Sequence, residues 1–487
     1  MSETYDLIVI GGGSAGLVAA GGAGILGARV ALIEKEKLGG DCLYTGCVPS
    51  KTLICSARFA SDMRNAEDYG FEKKQIEFKN NNFASITNRV QDVISIVEEH
   101  DAPEVFEEMG AEVIFGNPKF ISKNEIEVVL NETGEKVLMK AKRFCISTGS
   151  SAFIPSIEGV EETGYITNEN VFHMQKLPEK LIVLGGGAIG CEMGQSFARF
   201  GSKVTLVEKN SHIMRVEDKE VFTFMKEVFE NEGIEVITQS EAVKFSKNEN
   251  GKKVVTIENR EGKKNEIEAD EILVSVGRRA NVKGLDLEKA GVEVERGKIK
   301  VDDYLRTTNK SIYAAGDVNG KFQFTHMADY EAQIVLKNCF LFAPLLTKTD
   351  YSVVPWTTFT EPEVARVGMI ETEARQKYGD KIEVYKVPFS HNDRALAEGG
   401  SQGFAKLVLN GKKILGITIV GIHAGELLSE FTVAMKHNLS ITDLNEAIHV
   451  YPTLAKITQA LGTEKTIDGL KKPWVQKWFG RYLRFWR

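Results

Sequence analysis

The chain has 487 residues, 43% hydrophobic and 26% charged, enough to bury several cores and to divide into about three domains. A formal net charge of −7 excludes general electrostatic attraction to nucleic acid, and six cysteines are too few for a secreted disulfide scaffold. The first residues carry no basic stretch ahead of the short apolar run Leu7–Ile10, and no apolar stretch reaches the ~20 residues that span a bilayer. The expectation is a cytoplasmic enzyme without a signal peptide.

Asp6–Lys35 and Lys180–Lys209 align without a gap at a constant offset of 174 residues. Each copy reads as an apolar strand, a glycine turn, a helix, a turn glycine and a second strand ending in an acid. The turns are G-x-G-x-x-G, at Gly11, Gly13 and Gly16 and again at Gly185, Gly187 and Gly190; the acids are Glu34 and Glu208. In such a unit the first glycine makes the turn, the second lets a pyrophosphate approach the backbone, and the third packs helix on strand. Amide N–H groups opening the helix, around Ser14 and Ala15 or Ala188 and Ile189, face the phosphates, and the acid takes the adenosine ribose hydroxyls. Two dinucleotides are therefore expected. A carboxylate at Glu208 favours NADH over NADPH because it repels a 2′-phosphate, an effect that neighbouring Lys209 softens.

After the first unit comes Gly39-Gly40-Asp41-Cys42-Leu43-Tyr44-Thr45-Gly46-Cys47-Val48-Pro49-Ser50-Lys51. Five residues of regular helix rise ~7.5 Å, beyond the ~7 Å Cα separation a disulfide tolerates, so a Cys42–Cys47 bond needs a broken turn, which Gly46 supplies. A thiolate near a helix N-terminus is stabilised, which suits a redox pair. Cys55, Cys145, Cys191 and Cys339 read as buried small hydrophobes.

The motif GGxCxxxGCxPSK at Gly39–Lys51, the second glycine turn, Thr148-Gly149, Ala314-Ala315-Gly316-Asp317 and the segment ending in Pro452-Thr453 resemble the pyridine nucleotide-disulfide oxidoreductases, the family of glutathione reductase, dihydrolipoamide dehydrogenase and mercuric reductase. The likeness spans roughly residues 4–465. It implies an α/β fold with two Rossmann-like domains, for FAD and NAD, and a C-terminal α+β dimerisation domain. The divisions are 1–150 (FAD), 151–278 (NAD, closing at Val274–Gly277), 279–347 (FAD again), 348–465 (dimerisation) and a tail, 466–487. Within the first, Phe83–Gly110 reads as a long helix broken near Asp101-Ala102-Pro103.

The resemblance further implies that Cys42 is the interchange thiol and Cys47 the charge-transfer thiol, with Lys51 near the flavin and paired to Glu192. FAD would be met by Glu34, Lys35, Gly40, Asp41, Thr148, Gly149, Asp317, His326 and Ala328, and NAD by Glu208 and Gly277 beside the second glycine turn. No resident metal is implied. Relatives acting on glutathione or lipoamide have a histidine directly before Pro-Thr and a glutamate five residues on; here those positions are Tyr451 and Lys456. A phenol of pKa ~10 is a poor base at neutral pH. His449 serves only where the chain turns it inward, and is otherwise a surface or packing histidine. Tyr451, Val354-Pro355-Trp356 and Phe359–Glu363 resemble mercuric reductases, although the cysteine pair near the C-terminus and the N-terminal metal-binding domain common in those enzymes are not found.

The expected function is transfer of electrons from NADH through FAD and Cys42–Cys47 to a disulfide, a persulfide or a thiophilic metal, as a homodimer. Alternatives are a dihydrolipoamide dehydrogenase and a membrane-docked flavoprotein serving a quinone or protein acceptor.

The tail Lys471–Arg487 holds three of the chain's four tryptophans and six lysines or arginines with no acid. As a helix it aligns Trp474, Trp478, Tyr482 and Trp486 on one stripe. It reads either as an interfacial helix on an anionic bilayer or as an arm packed on the body or the dimer partner.

Overall fold

The structure is a computed structural model describing residues 4–72, 77–79 and 82–486. Arg487 and the first three residues, which belong to the tail and leader readings, lie outside these. The chain forms two compact units, Met1–Val207 with Ser240–Thr349 and Glu208–Gln239 with Asp350–Arg487.

In the first unit, Tyr5–Ile10 pairs in parallel with Val30–Glu34 on one side and with the end of Lys136–Ile146 on the other. The start of Ala111–Phe120 extends the sheet beyond Val30–Glu34, and Ile312–Ala314 extends it beyond Lys136–Ile146. Leu7, Ile8 and Val9 have no exposed surface, as a strand covered on both faces requires. Each such side chain contributes about 1.5–3 kcal/mol of burial. Gly11, Ser147-Thr148 and Gly316-Asp317 follow the C-terminal ends of three of these strands, the edge where open α/β sheets bind ligands. A second parallel set, Glu271–Val274, Lys180–Leu184 and Lys203–Glu208, carries the second glycine turn. The expected long helix is present as Ala84–Glu98, a single 3₁₀ turn at Glu99–Asp101 and Pro103–Glu108, with Pro103 opening the last.

The helix Cys47–Arg64 packs against Ala84–Glu98 and against Ala188–Phe200, the helix that follows the second turn. That packing buries Leu53, Ala57 and Ala60 and turns Cys47, Lys51 and Cys55, spaced four apart, away from the core. Cys55 is therefore exposed, which corrects its reading as a buried hydrophobe; Cys145, Cys191 and Cys339 are buried.

The second unit is built on an antiparallel sheet in the order Pro355–Thr358, Glu363–Gly368, Lys413–Gly421, Phe404–Asn410, Ile382–Pro388. Alternate residues such as Ala365, Val367, Leu407, Ile417 and Ile419 form its core with Leu428 and Phe431 of the helix Ala424–Lys436 and Ile457 and Leu461 of Lys456–Lys471. The chain then breaks at Lys472, which is extended, and continues as the helix Pro473–Trp486. Among the described residues no helix is long and apolar enough to cross a membrane.

Candidate active site

The two glycine turns have the same construction. Gly11 and Gly185 have φ of 103° and 102°, and a Cβ on either would meet the backbone carbonyl of Ser147 or Ser275 at 2.5 Å. A Cβ on Gly16 or Gly190 would run into the carbonyl of Gly11 or Gly185. The middle glycines differ: Gly187 has nothing within 4 Å of a built Cβ, and Gly13 only the Gly40 Cα at 3.9 Å. Space is thus kept beside the middle glycine, at the start of the helices Ser14–Ile25 and Ala188–Phe200. The residues fit a dinucleotide pyrophosphate at both turns.

Around the first turn, Glu34 is buried and accepts hydrogen bonds from the backbone N–H groups of Gly12 (2.6 Å) and Glu36 (2.9 Å). Lys35 points to solvent against Glu36. Thr148 Oγ1 donates to the Asn281 carbonyl at 2.7 Å, and Gly149 takes φ of 67°. A Cβ on Gly316 would stand 3.2 Å from the Ala328 Cβ and 3.5 Å from the Ala15 Cβ, so Asp317 follows a turn packed between these helices. Burial raises the Asp317 carboxyl above its ordinary range, against a 2.6 Å bond from Ser150 Oγ and the Arg278 charge. His326 stacks on Phe324 with ring centroids 5.3 Å apart.

Cys42 lies in the short helix Gly40–Tyr44 and Cys47 opens the helix Cys47–Arg64, with the break at Thr45-Gly46. The cysteines are free thiols joined by a hydrogen bond, and Cys47 Sγ is also 3.4 Å from Thr325 Oγ1. Sharing of the proton splits the pair. The Cys42 bond holds the Cys47 thiol down to about 6, helped by Thr325 and the Lys51 charge and opposed by burial. Cys42 is pushed up, first by that bond, then by burial and the charge of Cys47. The anionic form is thus favoured on Cys47 and the proton on Cys42.

Lys51 Nζ reaches Glu192 Oε2 at 3.0 Å, because the helices bearing them are packed together. Asp41, beside Cys42, accepts from Thr45 Oγ1 (2.6 Å) and Asn168 Nδ2 (3.3 Å) and pairs with Arg278 at 3.1 Å. Arg278 also donates to Ser150 Oγ at 2.8 Å and lies 3.8 Å from Asp317, linking the cysteine loop to the acid at the sheet edge. Gly277, with φ of 142°, allows the turn that delivers it.

At the second turn, Glu208 ends its strand with Oε1 accepting from Asn210 N (2.7 Å) and Nδ2 (2.5 Å). Gly187 and Ala188 are exposed, Ile189 half-buried.

The pyridine nucleotide-disulphide oxidoreductase family matches residues 5–332, and its dimerisation domain matches residues 354–461. The chain belongs to this family. It is therefore a flavin-dependent oxidoreductase with two Rossmann-like domains and a C-terminal dimerisation domain, and members of the family use FAD and a pyridine nucleotide. A mercuric reductase of Bacillus cereus is 35% identical over 93% of the chain and 70% of its own length. A dihydrolipoyl dehydrogenase of Chlamydia trachomatis is 33% identical over 94% of the chain and 96% of its own length. Among solved structures, the Cu(II) complex of the HOCl-induced flavoprotein disulfide reductase RclA from Escherichia coli superposes with a TM-score of 0.83 at 27% identity, over 95% of the chain and 99% of that one.

The first unit of this oxidoreductase brings together Cys42, Cys47, Lys51, Glu192 and Asp317's partners. Tyr451 and His449 belong to the second unit. The Tyr451 hydroxyl donates to Asp393 Oδ2 at 2.9 Å, and that carboxylate raises the phenol above its ordinary range, making it a still poorer base. His449 has Nε2 2.9 Å from Glu430 Oε1 and Nδ1 2.9 Å from the Ala447 carbonyl, so both nitrogens are taken up in packing. Sequence reasoning missed Arg278, Thr325, Asn168 and Ser150. The first two had a signal, adjacency to Gly277 and His326; the others had none. Among the described residues no cluster of three His, Cys, Asp or Glu is arranged to hold a metal.

Proposed function

We propose that this oxidoreductase is a cytoplasmic homodimer that passes electrons from NADH through FAD to Cys42–Cys47 and on to a thiophilic metal ion. The observation that supports this reading is the bond from the Tyr451 hydroxyl to Asp393 Oδ2 at 2.9 Å, at the position where relatives acting on disulfides carry a histidine. Attack on an acceptor disulfide needs Cys42 as thiolate, and so needs a base to take its proton. Tyr451, raised by Asp393, is unsuited to that work. A soft cation needs no base, because it binds thiolate strongly enough to displace thiol protons to solvent.

FAD, when bound, would supply the centre that accepts hydride from NADH and passes an electron pair on to the metal ion held by the two sulfurs. Gly13 and Gly187 leave room for the two pyrophosphates, Glu34 and Glu208 present carboxylates to the ribose hydroxyls, and Lys51 and Thr325 keep Cys47 ionised. Cys42 would lose its proton when a divalent ion is taken between its sulfur and that of Cys47, and regain it when two electrons reduce and release the ion. The sum is M²⁺ plus NADH giving M⁰, NAD⁺ and H⁺; for an ion that accepts one electron, two ions are consumed per NADH. The mercuric reductase relatives and the Cu(II) complex of RclA support this choice of acceptor.

Steady-state oxidation of NADH by the holoenzyme with Hg(II), Cu(II), lipoamide and oxidised glutathione tests it. Turnover with a metal ion should exceed that with either disulfide by at least about tenfold and vanish in Cys42→Ser. Rapid disulfide turnover with inhibition by the metals rejects the reading.

A further inference from the structure

The C-terminal helix Pro473–Trp486 has fourteen residues, none of them buried. It starts on a proline, after the extended Lys472 separates it from the helix Lys456–Lys471. Its side chains divide into two arcs. At 100° per residue Trp474, Trp478, Phe479, Tyr482, Phe485 and Trp486 fall within one half of the circumference, and Lys477, Arg481 and Arg484 cluster on the other beside Gly480. Phe485 is 90% exposed, Trp486 74% and Trp474 70%.

We infer that this helix is a docking element for an anionic lipid bilayer, lying in the plane of the headgroups with its aromatic face toward the acyl chains. Three observations select that occupant. Fourteen residues of helix extend ~21 Å, short of the ~30 Å hydrocarbon core, so the helix lies in the interface and does not span. The charge is complementary: the last acidic side chain of the sequence is Asp468, after which every side chain charged at neutral pH is Lys or Arg, while the whole chain carries −7. An anionic surface attracts this segment and repels the body, which makes the helix the point of contact. The rings also face one another, Trp478 stacked on Tyr482 at 5.7 Å with 4° between planes and Trp486 following at 6.3 Å. They form a continuous apolar face, as an interfacial belt needs, and not a row of separate platforms for nucleic-acid bases.

The inference does not depend on the acceptor proposed above, since it requires neither NADH nor turnover. The test is cosedimentation of the FAD-loaded protein with vesicles of equal parts phosphatidylglycerol and phosphatidylcholine. At ~20 mM salt the protein should pellet with them and tryptophan emission should shift to the blue; binding should fall at least about tenfold on pure phosphatidylcholine or at ~0.5 M salt. Lys477→Glu with Arg481→Glu and Arg484→Glu should abolish the salt-sensitive binding, and Trp478→Ala with Phe485→Ala and Trp486→Ala should remove the blue shift. Flavin absorbance and sedimentation velocity report that each variant is folded and show its oligomeric state. Absence of binding at low salt overturns the inference. So does binding undiminished by deletion of residues 471–487, or a deletion that dissociates a dimer without any vesicle effect, which would assign the aromatic face to a second copy of the chain.

Discussion

Lys51 Nζ lies 3.0 Å from Glu192 Oε2, tying the helix that begins at Cys47 to the helix that follows the second glycine turn. Glu192 is buried while Lys51 is partly exposed, so the pair also connects a buried carboxylate to the edge of the thiol site. Lys51→Met should remove this ion pair from the carboxylate and cost about 1–2 kcal/mol, less than a fully buried pair because the lysine is solvated in part. It should also raise the Cys47 thiol, whose ionisation the Lys51 charge favours. Urea unfolding and the pH dependence of Cys47 alkylation measure the two effects. An alkylation profile that does not move would show that the lysine acts on Glu192 alone.

The reduced protein should show a pH-dependent thiolate. With Cys47 lowered to about 6, the anion is present at neutral pH and is lost as the pH falls through that value. In the FAD-loaded enzyme a long-wavelength thiolate-to-flavin absorbance should follow the same titration and be missing in Cys47→Ser. Since the bond from Cys42 is the largest contribution, Cys42→Ala should shift the titration upward and Cys42→Ser, which keeps a donor, should shift it less. A band that survives in Cys47→Ser would assign the absorbing thiolate to another residue.

Glu208, with Oε1 held by both the backbone and side-chain nitrogens of Asn210, presents a fixed carboxylate at the end of its strand. NADH should be used with about tenfold or greater preference in kcat/KM over NADPH, and Glu208→Arg should move that preference toward NADPH. Equal efficiency with the two nucleotides in the unmodified enzyme would mean that Lys209 overrides the carboxylate.

Turnover with lipoamide or glutathione should be low. Tyr451 is engaged with Asp393, and Lys456 stands where relatives carry the glutamate that orients a catalytic histidine. Tyr451→His combined with Lys456→Glu should raise lipoamide turnover about 10²-fold, the scale of one positioned general base. Turnover that is already efficient before substitution would show that another group moves the proton.

What the sequence determined by itself was whatever depends on neighbours within a turn or two. Gly11 and Gly185 must adopt positive φ, and the third glycine of each motif must admit a backbone carbonyl, so two nucleotide turns were legible from spacing alone. The break between Cys42 and Cys47 was legible for the same reason, as was the two-faced helix at the C-terminus. The tertiary structure decided which distant groups meet these elements. Thr325 lies 278 residues from Cys47, and Arg278 reaches Asp41 because the strand it opens, Arg278–Ala280, pairs with Ser150–Ala152. His449 went to Glu430, and Cys55 was turned outward by the same helix packing that brought Lys51 to Glu192. Backbone conformation is set by contacts a few residues apart, and so is written in local spacing. Pairing of charges and the placing of protons are set by which helices pack together, which local spacing does not encode.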